Sequence, residues 1–211
     1  MNKINLSRKK GRAFVFSAPS GAGKTSLVEA LVNSNRNLYR SISHTTRGIR
    51  KGERDGIDYY FVTIENFDKM VAEDEFIEHA KVFGEKYGTR KKTVRDQLLN
   101  GKDVALDIDW QGARRIRNII DDCISIFILP PSLEILKERL IERGDAVAQI
   151  DSRMEKAIGE IQHFEEYDYL VFNDKFEETL ADLEAIVNAS KLETSSQKIH
   201  HYQEISELIE A

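Results

Sequence analysis

Apolar residues cluster in short blocks at 13–17, 104–108, 125–129 and 169–172. Each block is of strand length, and each is followed by a stretch in which apolar positions recur at helical spacing. Helices are expected over 24–33, 111–120, 133–143 and 177–189, the third with Ser132 as its N-cap after Pro130 and Pro131. A strand-then-helix order is that of a parallel sheet. The expected class is α/β, with ligands at the carboxyl ends of the strands.

Two segments interrupt this alternation. Residues 41–92 are polar and turn-rich, with Gly48, Gly52, Gly56, Gly84 and Gly88 separating short aromatic strands such as 59–62, the pattern of an inserted small β-rich subdomain. Residues 142–166 are helical in pattern, charged and short of large apolar side chains, the pattern of a mobile surface arm.

The first strand runs into Ala18-Pro19-Ser20-Gly21-Ala22-Gly23-Lys24-Thr25 and then a helix. Glycines let successive backbone N–H groups turn toward an anion, Lys24 can reach the outer phosphates, and the Thr25 hydroxyl can ligate Mg²⁺. Ala18 stands where the usual G-x-x-x-x-G-K-[ST] pattern has its first glycine. The change is mild, because the donors that face phosphates come mainly from Gly21 to Thr25. A nucleoside triphosphate is the expected ligand, against the plainer reading of a glycine-rich turn with no ligand.

The 211 residues carry 31 basic and 36 acidic side chains, a formal net charge of −5, which argues against a general polyanion-binding surface. The basic run from Arg8 to Arg12 reads as a solvated arm. Cys123 is the only cysteine, so an intramolecular disulfide or a cysteine-cluster metal site is excluded, and its apolar neighbours suggest a buried thiol in a reducing cytoplasm. No apolar run approaches the length of a membrane span, and no signal-peptide pattern is present. Neither nucleic acid nor membrane is an expected partner.

A phosphate loop alone does not separate GTPases, ATPases and kinases. Asp109-Trp110-Gln111-Gly112 fits the loose D-x-x-G switch pattern, but no N-K-x-D for guanine occurs. The insertion carries Ser43-His44-Thr45-Thr46-Arg47-Gly48-Ile49-Arg50, then Asp58-Tyr59-Tyr60, Phe76-Ile77-Glu78-His79-Ala80 and Tyr87-Gly88-Thr89. Together with the phosphate loop before them and Asp107-Ile108-Asp109-Trp110-Gln111-Gly112 after them, these motifs resemble bacterial guanylate kinases, over about residues 14–186.

The resemblance implies a P-loop kinase fold: a parallel sheet core flanked by helices (1–40, 93–134 and 164–211), a GMP-binding subdomain (41–92) and a helical lid (135–163). It implies Mg²⁺-assisted transfer of the γ-phosphoryl group from ATP to GMP or dGMP. The ATP side is Ala18 to Thr25 with Asn173 at the adenine; the metal side is Thr25 with Asp107. On the GMP side, Arg47 and Arg50 offer forked donors to the monophosphate, and Ser43, Tyr59 and Tyr87 add hydroxyls. Glu78 as a carboxylate can accept from guanine N1–H and the 2-amino group, and Thr89 can donate to O6. Asp109 lies nearer this subdomain. A plain reading of Glu78 remains, one acid among several on a helix face. Lys24, Arg50 and the lid arginines Arg139, Arg143 and Arg153 are the catalytic set, supplying charge neutralisation without a general base.

Departures are Ile49, where the family has proline, and the stretch after Gly144, apolar and one residue shorter than the family's acidic turn. A catalytically inactive guanylate-kinase-like binding module is the alternative; it has no need of an intact triphosphate cradle. The chain is expected as a monomer or homodimer. The tail after Ser190, with Ile199, Ile205, Leu208 and Ile209, has the spacing of an amphipathic helix.

Overall fold

A computed structural model describes residues 10–82, 84–142 and 147–210, with the side chains of 147–149 left aside. Five parallel strands form the main sheet: β1 (Ala13–Ser17), β2 (Leu38–Ser41), β7 (Asp103–Asp107), β8 (Cys123–Leu129) and β9 (Tyr169–Phe172), in the order β2-β7-β1-β8-β9. The central strand is buried along its whole length. Phe14 and Phe16 pack on one side with Leu27 and Leu31 of α1 (Lys24–Ser34) and with Leu183 and Val187 of α7 (Phe176–Lys191). Ala13 and Val15 pack on the other with Val94 of α3 (Lys91–Leu99) and with Ala113 and Ile116 of α4 (Trp110–Ile119). Alternate residues of one strand therefore serve two apolar layers, which explains its unbroken hydrophobic run.

Edge strand β2 has no such run: Tyr39 and Arg40 are only half-buried, so its hydrophobic signal is weak although it pairs in parallel with residues 103–106. The expected strand 104–108 begins and ends one residue earlier, at Asp103 and Asp107.

The inserted region is a second sheet, β4-β3-β6-β5, built from β3 (His44–Thr45), β4 (Tyr60–Phe61), β5 (Phe76–Val82) and β6 (Glu85–Arg90). It also holds a helix, α2 (Ile64–Ala72), whose N-cap Thr63 accepts from the Asn66 N–H. Phe67 of this helix stacks on Phe76 at 4.7 Å. The pairing of β5 with β6 slips between Phe76 and Glu78, a bulge that leaves Ile77 as the extra residue. Consecutive Ile77 and Glu78 consequently both meet α4, Ile77 among Ala113 and Ile116 and Glu78 against Gly112.

Helices α5 (Leu133–Glu142) and α6 (Val147–Ile161) occupy the expected lid segment. The Ser132 hydroxyl accepts from the Ile135 N–H at the start of α5. Buried Leu136 of α5 and Ala157 of α6 close on Ala22 of the phosphate loop, so α6 packs by one narrow face while most of its described side chains stay at the surface, as its charge suggested.

Two further expectations are corrected. Arg12 is not part of a solvated arm; it is buried, donating to the Ser190 carbonyl at 2.8 Å and pairing with Asp122 and Glu193. It thereby anchors the chain just after α7 against α8 (Thr194–His200), which is followed by α9 (Tyr202–Glu210). Cys123 is half-buried, and burial pushes its thiol up to about 12.

Candidate active site

Strand β1 ends at Ser17, and the next residues curl round the amino terminus of α1. Gly21 and Gly23 have φ of 97° and 89°, conformations that cost other residues, and a Cβ on Gly23 would lie 2.4 Å from Asn173 Nδ2. Gly23 caps α1 without a side-chain hydrogen bond, and the first turn has no acid. The helix presents its unpaired N–H groups and positive end to whatever occupies the loop.

Lys24 reaches back across the sheet ends. Its Nζ is 2.7 Å from Asp107 Oδ1 and donates to the Ile108 carbonyl at 2.9 Å, while the Thr25 hydroxyl donates to Asp107 Oδ2 at 3.1 Å. Arg40 of β2 lies 3.9 Å from the same carboxylate. Lysine, hydroxyl and carboxylate thus meet beside the anion cradle.

The cradle opens into a cavity of about 600 Å³ that extends to the inserted sheet. Residues 18–25, Asp107 and Asp109 line it on the core side; Ser43, Arg47, Arg50, Tyr59, Glu78 and Tyr87 line it on the other; Arg139 and Arg153 reach it from α5 and α6. Arg143 lies outside the described residues.

On the inserted side, Arg47 forks onto Glu53 at 2.8 and 3.0 Å and lies 5.3 Å from the Tyr59 ring centre. Glu53 also accepts the Arg50 backbone N–H at 2.8 Å. Burial works to raise the Glu53 carboxyl, but these donors and the two guanidinium charges outweigh it and hold it below its ordinary value. Tyr59 stands edge-on to Tyr87 at 5.9 Å, and burial raises its phenol.

Deeper in, Glu78 is 3% exposed and accepts from the Thr89 hydroxyl at 2.5 Å; Thr89 in turn shares a 3.2 Å hydrogen bond with Ser43. Ser43 therefore belongs to the Glu78 chain of hydroxyls and not to the arginine rim where it was expected. Residues 78 and 89 are direct cross-strand partners. Asp109 caps α4 by accepting the Gly112 N–H at 2.9 Å, which brings Gly112 so close that a Cβ there would lie 2.6 Å from Glu78 Oε2. Burial, aided by the Asp109 charge and opposed by the Thr89 hydrogen bond and Arg115, pushes the Glu78 carboxyl up to about 7. A buried acid so perturbed, facing a cavity, is a candidate functional group.

The model of the guanylate kinase family matches residues 10–190. This chain belongs to the guanylate kinase family. It is 53% identical over 182 residues to a guanylate kinase of Alkalilimnicola ehrlichii, covering 86% of this chain and 90% of that one. Identity to a guanylate kinase of Coxiella burnetii is 47% over 211 residues, covering 100% and 99%. The crystal structure of guanylate kinase from Anaplasma phagocytophilum superposes with a TM-score of 0.76 at 37% identity, covering 89% of each chain.

Within this guanylate kinase fold, three side chains depart from the expected picture. Glu78 stands on a strand, which removes the helix-face reading. Thr89 spends its single hydroxyl proton on Glu78, so donation to a guanine O6 requires that proton to swing away. Asn173 is buried and does not line the cavity; its Nδ2 donates to the Ala22 carbonyl at 2.7 Å and its backbone carbonyl accepts from Arg139 at 3.1 Å. It braces the phosphate loop where an adenine contact was expected. Arg40, Glu53 and Glu160 also line the cavity and were not singled out from sequence. Arg40 was hidden by the unrecognised strand, and Glu160 by the charged composition of its helix.

Proposed function

We propose that this chain transfers the γ-phosphoryl group of ATP to GMP or dGMP, giving ADP and GDP. The observation that carries the reading is one cavity with an open anion cradle at one end and the sealed carboxylate of Glu78 at the other.

ATP places its phosphates on the N–H groups of Gly21 to Thr25, with Lys24 leaving Asp107 to follow them. Arg139 supports this role: its Nη1 is buried with no hydrogen-bond partner among the described residues, a donor waiting for an anion. Arg153 and, by resemblance, Arg143 add charge from the lid. Arg47, Arg50, Tyr59 and Tyr87 hold the GMP phosphate. A GMP phosphate oxygen attacks the γ-phosphorus in line while the bond to the ADP oxygen breaks. The acceptor is already anionic, so no general base is required. Thr25 and Asp107 offer hard oxygen donors 3.1 Å apart, a set that would suit Mg²⁺. Bound there, the ion would neutralise charge between the outer phosphates.

Base choice follows from polarity. Guanine presents two donors to the Glu78 carboxylate, whereas adenine presents a lone pair, and an unpaired buried carboxylate costs several kcal/mol. The roles imply a division into core (1–40, 93–134, 164–211), GMP-binding (41–92) and lid (135–163) units. No helix among the described residues is long and apolar enough to cross a membrane.

ADP production from ATP with GMP, AMP, CMP or UMP tests the reading. Turnover with GMP far above the others is expected. No turnover with GMP would sink the kinase, and the inactive-module alternative would then stand.

A further inference from the structure

Glu160 takes no part in the roles above. It stands near the carboxyl end of α6, half-buried, and its Oε2 accepts the backbone N–H of Ser20, at the front of the phosphate loop, at 3.2 Å. Burial and the Asp109 charge raise its carboxyl; the Ser20 N–H, Lys24 and Lys156 oppose them. An acid lining a polyphosphate cavity repels the ligand, so its presence calls for a geometric return.

That return lies in what α6 carries. Arg153 precedes Glu160 by two helical turns on the same face, and both line the cavity. Just past α6, His163 stacks on Trp110 at 3.7 Å, and Glu166 accepts from Arg114 at 2.5 and 3.1 Å and from Arg117 at 3.1 Å. This pins the end of the helix to α4, beside Asp109. With one attachment at α4 and a second at the loop, the helix has neither free rotation about its axis nor free depth.

We propose that Glu160 is a positioning residue for phosphoryl transfer: by docking α6 on the Ser20 amide it fixes the angle and depth at which Arg153 meets the transferring phosphate. This inference rests on the kinase reading. Ser20 lies ahead of the Gly21 to Thr25 amides, so the dock leaves those donors to the phosphates. A displacement of about 1 Å at a charge-stabilising group lowers rate by about a hundredfold while leaving the remote substrate's binding intact.

The test compares the parent with Glu160→Gln, Glu160→Asp and Glu160→Ala in steady-state kinetics with ATP and GMP both varied, alongside urea unfolding. Gln keeps the reach and an acceptor without the charge; Asp keeps the charge and loses the reach. The expected result is kcat lowered about 10- to 100-fold in Asp and Ala, within about fivefold of the parent in Gln, with the KM for GMP within about twofold throughout. The kcat values of Gln, Asp and Ala should not follow the order of their unfolding midpoints. Gln as impaired as Asp would overturn the proposal, as would Asp at parental kcat, or losses of kcat that track losses of stability. Should Ala fail to fold, the Gln and Asp pair decides alone. A parent that does not turn over GMP sinks the kinase reading and this inference with it; an active parent with an unaffected Asp variant sinks only the inference.

Discussion

Replacing Glu78 by glutamine should make the protein more stable and a much poorer enzyme. Burial moves this carboxyl from 4.5 to about 7. At pH 8 the folded protein therefore carries a charge that its surroundings disfavour, at a cost of about 3 kcal/mol relative to an ordinary carboxyl. The sign follows from proton binding. Between pH 4.5 and about 7 the folded state holds more protons at Glu78 than the unfolded state, so stability falls as pH rises through that window. Glutamine has nearly the same volume, can still accept the Thr89 hydroxyl, and does not ionise. Urea titrations at pH 8 should show the variant more stable by up to about 3 kcal/mol at unchanged m-value, and the difference should vanish at pH 4, where the parent carboxyl is neutral in the folded state. The same change removes two charge-assisted hydrogen bonds to guanine, about 1.5–3 kcal/mol each, so the KM for GMP should rise at least about a hundredfold. A glutamine variant less stable than the parent at pH 8, or a stability difference independent of pH, would refute the reasoning about burial. An unchanged KM for GMP would remove Glu78 from base recognition.

Other substitutions probe separate parts of the cavity. Lys24→Ala should lower kcat by about a thousandfold or more while calorimetric GMP affinity stays within about threefold, because Lys24 meets only the donor phosphates; a large loss of GMP binding would contradict the division of the cavity. Gly112→Ala puts a methyl group 2.6 Å from Glu78 Oε2, and the carboxylate is too enclosed to retreat. The KM for GMP should rise about tenfold or more at unchanged KM for ATP, with about 1–3 kcal/mol lost in unfolding titrations. Asn173→Ala leaves the Ala22 carbonyl without its partner, at about 1–3 kcal/mol. Its KM should rise equally for ATP and GTP as donors, since a brace senses phosphates and not the base; a loss confined to ATP would restore the adenine contact.

The phosphate loop, the central strands and the helices after them were legible because their signals are local. A strand buried on both faces must be continuously apolar, and a loop that wraps phosphate must be glycine-rich just before lysine. The β-rich character of the insertion was legible in outline from its turns and aromatic strands. What escaped depends on partners distant in sequence. Strand β2 lies at the sheet edge and half-exposes Tyr39 and Arg40, which erases its apolar pattern. Glu78 sits among acids that look like a helix surface, and only pairing with Thr89 and the bulge at Ile77 make it a buried strand residue. Asn173 resembles an ordinary turn residue until the fold brings it to Ala22, and Arg12 an ordinary basic arm until α7 and α8 close over it. Glu160 is one charge among many on α6 until the helix docks on Ser20.

The central claim is that the anion cradle and the guanine reader are two ends of one cavity. Titration calorimetry with adenosine and guanosine joined 5′ to 5′ through an oligophosphate chain measures this directly. One molecule should bind per chain, far more tightly than ATP or GMP alone, with the advantage lost in Glu78→Gln and in Lys24→Ala separately. Affinity no better than that of ATP, or an advantage that survives either substitution, would contradict it.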